Sequence, residues 1–428
     1  MLIDHTETMY NIYFIIIIAF FIADFAWNQI LSYLNRSQMS PDIPSALAGI
    51  YSKTEYARQQ DYQRENDKFR MLFRWISFGV MLAVLIFGVL GWLDEWLRAC
   101  VTENFLLLPL IFFGVIALVN FLLNLPFGIY DTFVIEEKFG FNKSTPKLFA
   151  ADLGKQMLMG AVIGAVALSA IALCYQYLGP YFWLAVWAVF TGFSVLLSFF
   201  YSEWIVPLFN KQTPLPEGEL RTSIEDLAKR AGFRLDNIYV MDGSKRTTKA
   251  NAYFTGFGKK KRIVLFDTLI EKLEPREVTA VLAHEIGHYQ KKHIPLGMAL
   301  SVAQTFLLFW ILSLFIGSQP LAEALGGRIQ SLELGLVGFS FLYTPLSEIL
   351  GFLRNLISRR HEYEADLYAA KFGLGIPLME GLKKISSQAL SNLNPHPLVV
   401  FWEYSHPTLL QRMARLSAVR GQDRQDIF

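Results

Sequence analysis

Residues 281–293 read VLAHEIGHYQKKH. His284 and His288 stand four apart, and on a helix that spacing puts both imidazoles on one face, one turn apart. Two nitrogens so placed can hold one metal ion. Glu285, beside the first histidine, is left to handle a water. Three such residues at fixed positions arise by accident in roughly one chain in a hundred of this length. The context sharpens the signal. Val278, Val281 and Leu282 give the helix an apolar face, Pro275 suits its first turn, and Gly287 allows another backbone to approach. The bland alternative is a structural helix that happens to carry two histidines.

Two histidines do not complete a catalytic zinc site, which needs a third protein ligand and an open position for water. The strongest candidate lies in SRRHEYEAD, residues 358–366, after the last long apolar stretch. Glu362 and Asp366 share a helical face, and Glu364 points elsewhere. Glu362 is therefore assigned as the third ligand of one Zn2+ per chain. Asp366 is assigned as acceptor for the non-ligating nitrogen of a histidine ligand. Glu285 then takes a proton from water and later returns one to the leaving amine. A tetrahedral oxyanion calls for a donor besides the metal, and the tail YSHPTLLQR offers His406 and Arg412.

These residues sit in an apolar chain. Of 428 residues 53% are hydrophobic and only 18% charged, with 36 Phe and 9 Trp. Mean hydropathy is +0.33. Soluble proteins carry about 25% charged residues, so the composition is that of a membrane protein. A net charge of +2 is too small to argue for a nucleic-acid partner, and none is expected. Two cysteines, Cys100 and Cys174, make neither a disulfide framework nor a cysteine zinc site, and both read as small core residues. The N-terminal stretch lacks a basic n-region and a cleavage pattern, so its apolar run reads as a retained span.

Seven apolar stretches reach the length of about 20 residues that a bilayer requires: 12–34, 72–93, 105–125, 157–178, 181–201, 294–317 and 333–353. Asp24 and Glu348 read as span-end groups reaching the interface. Lys and Arg crowd the segments 35–71, 126–156, 202–293 and the C-terminal tail, and are sparse in the intervening loops. The positive-inside rule then places the N-terminus outside and the C-terminus inside. Both metal-binding segments face the cytoplasm, because two spans separate them.

The sizeable polar region, 205–293, reads as α+β. An amphipathic helix runs from Glu217 to Ala231 and ends at Gly232, IYVMDG is a strand, and NAYFTGFGKKKRIVLF gives two strands around a turn. Glu136, Glu137 and Lys138 read as a solvated charge cluster, and the run Lys259–Arg262 as a turn. Lys291, Lys292 and His293 read as side chains snorkelling where the motif helix meets the membrane. Four regions result: five spans with their loops (1–204), a zincin-like domain (205–293), spans six and seven (294–353), and a C-terminal segment completing the site (354–428).

HEIGH, the downstream EYEAD and the tail SHPTLLQR resemble the integral-membrane zinc metalloproteases that include the type I CAAX prenyl endopeptidases. PFGIYDTFVIEEKFGFNKST (126–145), PLFNKQTPL (207–215) and KANAYFTGFGKKKRIVLFDTLI (249–270) are similar to that family too. The resemblance implies a mainly α, polytopic fold. Seven transmembrane helices form a barrel-like, water-filled chamber, closed on the cytoplasmic side by the small α+β zincin-like domain. It implies that Asn251, Ala252 and Tyr253 form an edge strand pairing with substrate backbone. It also implies that His406 and Arg412 contact substrate carbonyls or the oxyanion. The substrate class is a peptide or protein carrying an isoprenoid near its C-terminus.

The function expected is a membrane-embedded zinc endopeptidase of this kind. The rivals are a quality-control protease for membrane proteins and, from another class, a transporter or channel with a structural zinc. The closing GQDRQDIF carries no dilysine or KDEL-type signal, which favours a bacterial inner membrane over the endoplasmic reticulum.

Overall fold

The computed structural model describes residues 9–45, 49–232, 237–255 and 262–425. The first membrane helices are α1 (Ile12–Ser37) and α2 (Lys53–Ile86). A short helix α3 (Val89–Cys100) follows, then α4 (Leu107–Tyr130), α5 (Pro146–Tyr177) and α6 (Phe182–Phe200). After the sheet region described below come α8 (Pro275–Gln290), α9 (His293–Phe315) and α10 (Leu332–Lys371). Among the described residues seven helices are long and apolar enough to span a bilayer, and α3 and α8 are not among them. Only 6–17% of each apolar window is buried by protein, so these are not core helices of a water-soluble fold.

Helix boundaries differ from the sequence reading where long-range contacts decide them. The stretch 72–93 is not one span. α2 starts at Lys53 behind a capping box of Ser52 and Glu55, and it stops at Ile86. Gly88 then takes φ +61, a left-handed conformation open to glycine at little cost, and α3 starts afresh. α3 buries Leu90, Gly91, Asp94 and Leu97 and exposes the stacked pair Trp92 and Trp96. That face suits an interfacial helix with its indoles at headgroup level. Cys100, at its end, is exposed and not a core residue. The segment 126–156 is largely helical: α4 passes through Pro126 and widens into a π-turn over Asp131–Glu136. The last span and EYEAD are one uninterrupted 40-residue helix, α10.

Between α6 and α8 lies a sheet of four strands: β1 (Gln212–Pro214), β2 (Asn237–Met241), β3 (Ala252–Thr255) and β4 (Arg262–Phe266). Their order is β1-β2-β4-β3, with β2 and β4 parallel and the other pairs antiparallel, so β3 is an edge. The helix expected over Glu217–Ala231 is α7 (Glu219–Arg230). Ile224, Leu227, Ile263, Leu265, Val278 and Leu282 form the core that fastens α7 and α8 to the sheet. Lys259, Lys260 and Lys261, expected to form a turn, lie outside the described residues, and Arg262 pairs with Glu203 at 2.8 Å. After α10 come α11 (Gly375–Gln388) and α12 (Leu409–Gln425).

Glu136 is not solvated. The chain after the π-turn folds back between α2 and the sheet region, and Glu136 accepts from Lys249 Nζ at 2.7 Å and Tyr62 Oη at 2.5 Å. Lys138 pairs with Glu65, and Glu137 accepts from Asn142. Nearby, Arg246 grips Asp152 of α5 at 2.7 and 2.9 Å. The membrane helices and the sheet region are thus joined by charge-assisted hydrogen bonds.

At the other end, α3 meets Gly326 of the loop before α10. A Cβ on Gly91 would lie 1.9 Å from the Gly326 carbonyl carbon. Gly91→Ala is expected to lower the thermal midpoint in detergent by the equivalent of about 1–3 kcal/mol, the usual cost of overpacking. Gly128→Ala, where nothing lies within 4 Å, serves as the helical control and should be neutral or slightly stabilising. Equal shifts for the two variants would refute the close packing of α3.

Candidate active site

α8 begins with a capping box of Glu274 and Glu277 and has Pro275 at its first position. Its buried face carries Val278, Leu282, Ala283 and Ile286 against the sheet. The face that carries Gly287 turns to α10. A Cβ at Gly287 would sit 3.0 Å from Ala365 Cα and from Tyr368 Cβ, so the two backbones approach as closely as a glycine permits. This crossing sets EYEAD beside HEIGH.

The ligand atoms converge. His284 Nε2 and His288 Nε2 are 3.1 Å apart. Glu362 Oε2 lies 3.4 Å from the first and Oε1 3.2 Å from the second. All three residues offer an atom within 4.8 Å of one another, and His284 and Glu362 are buried. Glu362 Oε2 is a buried oxygen with no hydrogen-bond partner. Two imidazole nitrogens aimed at each other repel unless a proton or a cation stands between them. An orphaned carboxylate oxygen and two facing lone pairs are the donor set a divalent metal satisfies.

Behind the ligands the charges are fixed. Asp366, fully buried, takes His284 Nδ1 at 2.9 Å. Arg412 of α12 donates to the same carboxylate from Nε at 2.9 Å and from Nη2 at 2.6 Å. Burial works against charge on His284, but the adjoining carboxylates of Asp366 and Glu362 raise its pKa to about 9. The pocket between the two carboxylates therefore favours positive charge. Arg412 Nη1 lies 3.5 Å from Glu362, and the exposed His406 brings Nε2 to 3.4 Å from it. Among the described residues nothing hydrogen-bonds the carboxylate of half-buried Glu285, so both its oxygens stay available.

The structure thus gathers His284, His288, Glu362, Asp366, His406 and Arg412 in one place. Asn251 stands just before the edge strand, and Ala252 and Tyr253 lie in it. Asn251 C=O accepts from Phe266 N–H; by antiparallel alternation Ala252 then turns its N–H and C=O to the open side. Asn251 Oδ1 covers that N–H at 2.9 Å. Asn251 and Tyr253 line a cavity of about 790 Å³ between the sheet and the membrane helices, with Arg246 and Asp152 also on its wall. Two further residues escaped the sequence reading. His293, expected to snorkel, is buried and lies against His288, and Glu364 lies against His293.

A multi-pass membrane fold with an HEIGH helix, a distant carboxylate and a small sheet defines a membrane-integral metallopeptidase. Comparison with known proteins agrees over most of the chain. Residues 32–211 match the family described as CAAX prenyl protease N-terminal, five membrane helices, and residues 214–420 match peptidase family M48. The CAAX prenyl protease 1 homolog of Arabidopsis thaliana is 35% identical over 405 residues, covering 92% of this chain and 95% of its own. CAAX prenyl protease 1 of Saccharomyces cerevisiae is 33% identical, covering 98% and 97%. The crystal structure of S. mikatae Ste24p superposes with a TM-score of 0.89 at 33% identity, over 95% of this chain and 99% of that one. The chain belongs to peptidase family M48, in its CAAX prenyl protease group. It is a metallopeptidase of peptide or protein substrates and a multi-pass membrane protein.

Glu362 and Glu364 occupy the same turn of α10, so they make a matched pair. Glu362→Ala is expected to lose the metal. Glu364→Ala should still purify with metal bound, even if more weakly held, because Glu364 contributes none of the converging atoms. Metal analysis of the purified variants checks this, and the opposite pattern would reassign the third ligand.

Proposed function

We propose that the protein is a zinc endopeptidase that cleaves near the C-terminus of isoprenylated CAAX-type peptides, with its active site on the cytoplasmic side. The observation that carries the chemistry is the convergence of His284, His288 and Glu362 beside an unengaged Glu285. The substrate class rests on the relatives, which bear the name CAAX prenyl protease. Two imidazoles and one carboxylate suit one Zn2+ with a position left open. Zinc, when bound, activates a water and polarises the scissile carbonyl.

The protein's own groups do the rest. Glu285 takes the proton from the attacking water and delivers one to the departing amine. Asp366 holds His284 in the tautomer whose Nε2 lone pair faces the metal. Two guanidinium nitrogens of Arg412 are committed to Asp366. Its Nη1, with the imidazole of exposed His406, is left to meet an oxyanion beside Glu362. β3 offers an extended peptide the free edge of a sheet, a mode of binding that reads main chain more than side chains.

Glu285→Gln is expected to retain zinc and to fall below about a hundredth of the wild-type rate, because an amide is no base at neutral pH. Near-normal turnover would refute the role of Glu285. The assay pairs a farnesylated CAAX peptide with an unmodified, unfolded one. Preference for the first supports the proposed substrate, and equal cleavage supports a quality-control protease.

Orientation follows from the basic loops. In a background lacking Cys100 and Cys174, Thr8→Cys and Gln422→Cys are probed with a membrane-impermeant thiol reagent on intact cells; position 8 lies outside the described residues. The first should be labelled directly and the second only after lysis. The reverse pattern would put cleavage on the outer side.

A further inference from the structure

His293 stands five residues after His288, a spacing that does not bring side chains together on a helix. At about 100° per residue, position i+5 lies about 140° around the axis from position i. Here the two imidazoles touch, because the chain turns between α8 and α9. Lys292 takes φ +59, a left-handed conformation that non-glycine residues seldom adopt, and this re-aims the first residue of α9 at the metal site. The outcome is a buried histidine, 7% exposed, whose Nδ1 lies 3.0 Å from His288 Nδ1. Its Nε2 lies 3.2 Å from Glu364 Oε2. His361 stacks on its ring at 3.8 Å and 7°, and Arg360 Nε donates to Glu364 Oε1 at 3.0 Å.

We propose that His293 and Glu364 are positioning residues that hold His288 in its ligating tautomer through a directed hydrogen-bond relay. The proposal rests on the reading of His288 as a metal ligand through Nε2. That nitrogen faces His284 Nε2 and Glu362, so the proton of the neutral ring is on Nδ1. His288 Nδ1–H then donates to His293 Nδ1, which must be bare. His293 therefore carries its proton on Nε2 and donates it to Glu364. The reverse direction would leave a bare His293 Nε2 lone pair facing a carboxylate oxygen, and no hydrogen bond could form there. One polarity satisfies every atom.

The relay gives each acid of EYEAD a task at one site. Glu362 faces both histidines, Asp366 takes His284 directly, and Glu364 reaches His288 through one interposed imidazole. The two ligands are thus supported unequally: His284 by a buried carboxylate already held by Arg412, His288 by a longer chain ending on a half-exposed one.

The test measures Zn2+ affinity of the full-length protein in detergent by competition with a chromogenic chelator. Outer partners of ligating histidines are usually worth 10–100-fold in metal affinity. His293→Phe keeps the ring and its stacking on His361 but removes both nitrogens; it should weaken zinc binding at least tenfold. His293→Gln, whose amide accepts on one side and donates on the other, should restore most of that. Glu364→Leu should weaken binding, and combined with His293→Phe it should cost no more than His293→Phe alone, because the two act in series. Unchanged affinity in His293→Phe, failure of His293→Gln to restore it with the metal-free melting temperature unaltered, or additive losses would each overturn the relay. His288→Ala separates the two levels. If it too leaves affinity unchanged, the ligand reading fails; if it abolishes binding while His293→Phe does not, only the relay fails.

Discussion

The contact between Gly287 and Ala365 governs the catalytic end of the molecule. Packed helices ordinarily keep their axes 8–10 Å apart, at a distance set by the side chains between them. Here the hydrogen of a glycine faces a backbone, and there is no room for a methyl group without displacement. The contact lies between the candidate ligands on both helices: His284 and His288 flank Gly287, and Glu362 and its supporting neighbour Asp366 flank Ala365. Any change in the separation of the two helices is therefore a change in ligand geometry. α10 is also a membrane helix, 40 residues in a single rod, so its position is fixed by packing in the bilayer as well as by α8. The site and the membrane bundle share one structural member.

Such a contact gathers charge that would otherwise be costly. Glu362 and Asp366 are 4% and 0% exposed, and His284 and Arg412 are 6% and 9%. Buried ions persist only when paired and hydrogen-bonded. Asp366 meets that condition through a two-point bond from Arg412, which arrives from α12, 46 residues further along. Glu362 meets it only in part: His284, His288, His406 and Arg412 lie 3.2–3.5 Å away, but its buried Oε2 has no hydrogen-bond partner. The fold thus ties down the carboxylate behind His284 and leaves an unbonded oxygen on the one that faces both histidines. Arg412 is in this respect a counter-ion first, with only Nη1 outside that bond, 3.5 Å from Glu362.

What could be read in the sequence was what is local and periodic. The four-residue spacings of His284 and His288 and of Glu362 and Asp366 name their faces without knowledge of any partner. The apolar runs announce the spans. The misreadings involve residues whose partners are distant. Gly88 lies inside an apolar run, and its break depends on the packing of α3 against Gly326. Glu136 looks solvated until Tyr62 and Lys249, 74 and 113 residues away, come to it. His293 was hidden by a single backbone angle at Lys292, for which the sequence carries no glycine as a marker.

The stretches that most narrowly resemble the CAAX proteases are not at the metal. EEKFGFNKST and the run before β3 meet at the seam between membrane and sheet, where Glu136 holds Lys249 and Asp152 holds Arg246. Both cations lie a few residues ahead of Asn251. The start of the edge strand is therefore tied at two points to the membrane helices, in addition to its ladder with β4. An unpaired edge in a soluble domain invites aggregation. Here it stands against a cavity walled partly by membrane helices. A peptide bound on that edge would be positioned relative to the bilayer and to α8 by the same few ion pairs. That coupling is what a protease needs if one end of its substrate is lipid and the other is peptide.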